Sequence, residues 1–100
     1  MSARPPAVGT VQIDNERVRV TEWRFPPGSE TGHHRHEYDY CVVPITTGRL
    51  LLEEAGGTRA ALLVSGQPYF RAAGVEHNVV NDNPFEFVFI DVELKQPPGE

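Results

Sequence analysis

The segment Arg17-Val18-Arg19-Val20 alternates charged and apolar residues, the period of two that marks a half-buried strand. Trp23 and Phe25 continue it on the opposite parity. Either a bulge near Thr21-Glu22 or burial of the two faces at different ends of the strand accounts for that shift. Further along, Phe85, Phe87 and Phe89 line one face of the last apolar run, and Val88, Ile90 and Val92 line the other. A strand apolar on both faces is either central in its sheet or covered by a second subunit. Nine glycines and nine prolines cut the chain into short β-rich runs, the spacing of a sandwich or barrel. Strands are predicted over 10–14, 17–25, 32–36, 40–46, 49–54, 58–64, 67–71, 76–80 and 85–94. Turn chemistry at Asp14-Asn15-Glu16, Thr47-Gly48, Gly56-Gly57, Ser65-Gly66 and 81–84 separates them. The best helical candidate, 50–55, is short and runs into Gly56-Gly57. Trp23, Phe25, Phe70, Phe85, Phe87 and Phe89 are expected in the core. Arg4-Pro5-Pro6 and Pro97-Pro98-Gly99-Glu100 read as extended, frayed arms.

Composition narrows the class. One hundred residues suit one domain over 1–100, small enough to gain from a bound metal or a second subunit. Apolar residues at 39% and charged residues at 23% are globular proportions. No apolar run approaches the roughly 20 residues of a membrane helix, and residues 1–10 carry no signal-peptide stretch. The single cysteine, Cys41, excludes an internal disulfide framework and fits a reducing compartment, so a cytoplasmic location is expected. A net charge of −5 with scattered arginines offers no basic stripe for nucleic acid, and no membrane partner is expected.

The histidines carry the chemistry. Three of the four crowd into Gly32-His33-His34-Arg35-His36. If that segment is extended, His34 and His36 share a face at a separation two imidazoles can bridge onto one ion. His33 and Arg35 then point elsewhere. The segment taken alone fits a solvated histidine-rich loop equally well. His77 follows a turn, in Ala72-Ala73-Gly74-Val75-Glu76-His77-Asn78.

The spacings Gly28-x5-His34-x-His36-x11-Gly48 and Gly66-x7-Gly74-x2-His77-x3-Asn81 resemble the two motifs of the cupin superfamily, over about half the chain. The resemblance implies an all-β double-stranded β-helix, the jelly-roll barrel, with motif 1 at 28–48 and motif 2 at 66–81. It implies His34, His36 and His77 as ligands of one divalent transition metal (Fe, Zn, Mn, Ni or Cu), with Gly48 and Gly74 making turns. Two positions depart from the pattern. Ala72 stands where the family has proline, and Cys41 stands where it has its ligating glutamate. Cys41 is expected near the metal but not on it, with Tyr40 and Asp39 as further near-metal residues. Arg35 and Tyr38 are candidate substrate contacts.

Three imidazoles without a carboxylate are similar to the iron site of the thiol dioxygenases, which also carry cysteine at the glutamate position but are about twice as long. The chain further resembles small cupins of amino-acid catabolism, including those linked to β-alanine degradation. A metal-dependent enzyme on a small polar metabolite, oxygenase- or isomerase-like, is the first functional expectation. A non-catalytic accessory protein that binds a metal or small ligand is the second, because fold alone does not decide chemistry. A homodimer is expected in either case.

Overall fold

The computed structural model describes residues 3–95. Among them are nine strands: β1 (Val8–Asp14), β2 (Val18–Phe25), β3 (His34–Arg35), β4 (Asp39–Pro44), β5 (Gly48–Glu54), β6 (Gly57–Leu63), β7 (Tyr69–Arg71), β8 (Glu76–Val80) and β9 (Phe87–Leu94). They form a five-stranded sheet in the order β1-β2-β9-β4-β7 and a four-stranded sheet in the order β3-β8-β5-β6. Every strand pair is antiparallel, and β9 is paired on both edges, by β2 and β4. Strands far apart in sequence thus become neighbours, the jelly-roll arrangement.

All nine strands fall where the alternation predicts them, with differences that have physical causes. The 50–55 segment is strand, not helix, because β5 is paired on both sides by β6 and β8. Leu50 and Leu52 are buried on one face of it. The bulge lies in β1 rather than near Thr21-Glu22. The β1–β2 register shifts between Val11 and Ile13, whereas β2 pairs with β9 without a break from Val18 to Phe25. The parity of Trp23 and Phe25 has the other cause considered above. Arg19, Thr21, Trp23 and Phe25 face inward, and Val18 and Val20 lie on the outer face.

The core fills one end of the barrel with Phe25, Phe87, Leu50, Leu52, Leu63 and Val42. Phe70 and Phe85, expected with them, are exposed at 56% and 43%. Phe70 lies on the outer face opposite Cys41, and Phe85 precedes β9. Asn81, fully buried, closes this end: its amide donates to the carbonyl oxygens of Phe25 (3.0 Å) and Phe85 (2.9 Å), and its Oδ1 accepts from the Asn83 amide. Those bonds satisfy backbone groups that would otherwise be buried unpaired. Gly48 serves close approach rather than a left-handed turn, since a Cβ there would lie 3.1 Å from the Phe87 ring. Gly74 does need its freedom, at φ +102°.

The N-terminal arm is docked, not frayed. Ala7 N–H donates to Glu30 O at 2.7 Å, and Glu30 N–H donates to Pro5 O at 3.0 Å. The Arg4 guanidinium bridges Glu30 (3.0 Å) and Glu53 (3.1 Å). The C-terminal arm, 97–100, lies outside the described residues.

Candidate metal centre

β3 and β8 are paired so that His34 stands directly opposite His77. His36 follows β3, fixed by its N–H donating to Val75 O (2.9 Å) and its carbonyl accepting from Gly74 N–H (2.8 Å). The Gly74 turn therefore brings the two histidine segments together. His34 Nε2 lies 3.0 Å from His36 Nε2, which lies 3.2 Å from His77 Nε2. The rings stand steeply to one another, at 74°, 73° and 90°, so three nitrogens converge on one corner.

The surroundings select the form that binds a metal. His34 Nδ1 lies 2.9 Å from Gly32 O. A carbonyl can only accept, so Nδ1 donates and Nε2 keeps its lone pair facing the other rings. Thr31 Oγ1 donates to the same carbonyl (2.9 Å) and accepts from Val79 N–H (3.1 Å), tying β3 to β8. The His36 ring stacks on Tyr40 at 3.8 Å between centroids. His77 is 7% exposed, and its Nδ1 has no protein partner. Burial, with His34 close by, pulls both His36 and His77 down to about 4. Both are neutral near pH 7 and able to ligate. The 3.0 Å and 3.2 Å separations are within twice an imidazole–metal bond of about 2.1 Å, and all three donors lie within 4.8 Å of one another, so they could share a single ion.

These histidines occupy one wall of a cavity of about 700 Å³. The opposite wall is the inner face of β2, β9 and β4. There Arg19 grips Glu93 with two hydrogen bonds, Nε–Oε1 at 2.7 Å and Nη2–Oε2 at 2.9 Å. One step deeper on β9 sits Asp91, 6% exposed, with its Oδ1 unpartnered. Burial, with Glu93 nearby, raises its carboxyl to about 7.

Of the residues singled out from sequence, His34, His36 and His77 come together and Tyr40 joins them. Arg35 is exposed at the cavity rim, and Tyr38 lies under the Arg19 guanidinium, 6.0 Å from it. Asp39 is engaged elsewhere, accepting from Ala73 N–H at 2.8 Å. Cys41 does not lie near the histidines. Strand alternation turns Tyr40 and Val42 into the cavity and places Cys41 on the outer face, between Val92 and Phe70. His33 is exposed beside Glu76.

Arg19, Asp91 and Glu93 were missed, though a signal for two of them existed. Phe87, Phe89, Asp91 and Glu93 share one parity, so an inward apolar face turns acidic at its end.

No family model matches the chain. It is 63% identical over 95 residues to the β-alanine degradation protein BauB of Pseudomonas aeruginosa, covering 95% of this chain and 100% of that one. Among solved structures, a cupin domain from Bordetella pertussis Tohama I shares 59% identity at a TM-score of 0.95, covering 96% of this chain and 100% of the other. The chain belongs to the cupin superfamily. An RmlC-like cupin with a double-stranded β-helix fold from Methanocaldococcus jannaschii, 17% identical with a TM-score of 0.71 over 88% of this chain and 79% of that one, shares the fold of this cupin. Neither Cys41 nor Asp39 stands in for the family's glutamate, so among the described residues the side chains placed to hold a metal ion are His34, His36 and His77.

Proposed function

We propose that this cupin holds one divalent transition metal on His34, His36 and His77 and acts on a small polar metabolite in the adjoining cavity. The observation that carries the reading is the convergence of three imidazole nitrogens on one end of a cavity lined by polar groups. Three protein ligands leave coordination positions open, which distinguishes a reactive site from a closed structural one. When bound, the metal would supply Lewis acidity and those open positions. The chain's own residues do the rest. Gly32 O fixes the His34 tautomer, Tyr40 holds the His36 ring by stacking, and the Arg19–Glu93 pair gives the far wall a fixed hydrogen-bonding pattern. The likeness to BauB supports a setting in β-alanine breakdown. Imidazole ligands suit iron, zinc, copper and nickel alike, so the metal is identified by measurement.

The test is elemental analysis of protein purified without a histidine tag, then oxygen uptake and product analysis against small thiols, carboxylates and amino acids. About one metal per chain with turnover is expected. Metal without turnover on any substrate would establish the accessory-protein reading instead. Absence of metal after reconstitution would overturn the site.

We further infer a cytoplasmic homodimer paired through the outer face of the five-stranded sheet. All seven residues of β1 are exposed, and on its outer face Val8 and Ile13 stand at 54% and 48%. Next to it the outer face carries Val20, Ile90, Val92, Cys41 and Val43, with Phe70 projecting. An open apolar edge of this kind invites pairing with a second copy. The free thiol of Cys41 fits a reducing compartment. Light scattering at micromolar concentration should give twice the 11.1 kDa chain mass, and a monomer would refute the pairing.

A further inference from the structure

We propose that Asp91 is the recognition group for a primary ammonium, so that the cavity takes a small amino acid or amino-alcohol zwitterion or its analogue, anionic end toward the histidines and amine toward Asp91. The orientation of the anionic end rests on the metal reading above; the ammonium site itself does not.

Besides the tyrosines Tyr40 and Tyr69, three charged side chains line the wall facing the histidines: Arg19, Glu93 and Asp91. Arg19 and Glu93 satisfy each other through two short hydrogen bonds. Asp91 is left over. Its backbone neighbours are Thr21 on β2 and Val42 on β4, and its Oδ1 is buried with no donor in the protein. A buried carboxylate oxygen without a partner costs free energy comparable to a lost hydrogen bond, and more when charged. A strand position flanked by Phe89 could hold an apolar residue at no such cost. Asp91 also lines the cavity, so a group that meets its carboxyl is expected among the cavity contents, and with Arg19 already paired to Glu93 the missing charge is positive.

Geometry sets the length of the ligand. Tyr40, which stacks on His36, is the cross-strand neighbour of Glu93. Asp91 lies two residues further along the same face of β9, a step of about 7 Å. A short chain of a few atoms spans the two ends. A bound divalent ion on three neutral imidazoles gives the histidine end a charge of +2, which attracts a carboxylate or alkoxide. Electrostatics therefore orients the ligand as well as holding it.

The experiment is calorimetric titration of zinc-loaded protein, its zinc content verified, with 3-aminopropanoate, propanoate and n-propylamine. The wild type should bind 3-aminopropanoate at least tenfold more tightly than propanoate. Asp91→Asn is nearly isosteric and retains one acceptor oxygen, so it removes the charge while keeping the shape. It should abolish that preference while leaving propanoate affinity within twofold and zinc content unchanged. Asp91→Ser should do the same and serves if the amide variant fails to fold. Equal affinity of the wild type for the two acids, or a preference that survives both substitutions, would overturn the proposal. If zinc does not load, the metal reading has failed by itself, and n-propylamine titrated into metal-free protein decides. Binding lost in Asp91→Asn supports the ammonium site, and absence of binding to the wild type refutes it.

Discussion

Two walls face each other across one cavity and are built by opposite means. The histidine wall is assembled from short segments and turns, and burial keeps His36 and His77 neutral. The carboxylate wall is the end of two long strands, and its charges are compensated by pairing, except at Asp91. Imidazole donors on one side and an unpartnered buried carboxyl on the other make the cavity polar along its length. Each wall can be broken separately, and the sizes of the effects separate their roles.

The largest effect is expected at the histidine wall. His77→Ala removes one of three converging donors, so metal content should fall from about one per chain to near zero while far-ultraviolet circular dichroism retains its β signal. Full metal stoichiometry in that variant at neutral pH would show that the ligand set is wrong.

Next in size is the pH dependence of metal-free stability, in which the two walls have opposite signs. His36 and His77 titrate near 4 in the folded protein and near 6.5 in an unfolded chain, so the unfolded state binds more protons between those values. Stability contributed above pH 6.5 is lost as the pH falls toward 4, roughly 3 kcal/mol per histidine as an upper bound. The sum is smaller than twice that, because the rings share repulsions from each other and from His34. Asp91 works the other way. Its folded value, about 7, lies above the ordinary 3.8, so its contribution is intact below pH 4 and lost as the pH rises through 7. Asp91→Asn should therefore gain melting temperature relative to wild type at pH 8 and gain little at pH 4. The groups acting on it are Glu93, which opposes its ionisation, and Arg19, which favours it. A difference in melting temperature that does not change with pH would mean that Asp91 is ionised throughout.

Smaller still is the effect of loosening the Arg19–Glu93 pair. Glu93→Gln keeps the shape and weakens two charge-assisted bonds, so a loss of about 1 kcal/mol is expected in denaturant unfolding, with metal content unchanged. Metal loss comparable to that in His77→Ala would place Glu93 among the ligands.

The difference between the walls also decides what a reader of the sequence can see. The histidine wall is legible because spacing along the chain encodes it: a two-residue step from His34 to His36, and a glycine turn before His77. The strands are legible because alternation and turn residues are local. The carboxylate wall depends on which strands become neighbours. Arg19 and Glu93 are 74 positions apart and meet only because β2 and β9 pair. Asp91 and Glu93 carried a local sign, acid on the parity of Phe87 and Phe89, but that sign does not reveal what the face looks onto. The docked N-terminal arm was hidden for the same reason, since Arg4 finds Glu30 and Glu53 only across the fold. The placement of Cys41 turned on one residue of register, because the side-chain period in a strand is two.

Cys41 gives the smallest expected effect and sharpens the comparison from outside the cavity. It is half-buried on the outer face, beside Val92 and Phe70 and away from the three histidines. Valine has similar bulk and suits a strand, so Cys41→Val should change stability by less than about 1 kcal/mol and leave metal content at the wild-type level. Loss of metal would show the thiolate to be a ligand and the strand register to be wrong. The same position can report on the second copy. An aspartate there sets charge in the middle of the apolar face formed by Val20, Val43, Ile90 and Val92, so Cys41→Asp should dissociate the dimer in light scattering. Its metal content should remain unchanged, because the site lies on the other side of the sheet. A dimer that survives Cys41→Asp would place the contact elsewhere, and simultaneous loss of metal and dimer would mean that the two faces of β4 are coupled through the sheet.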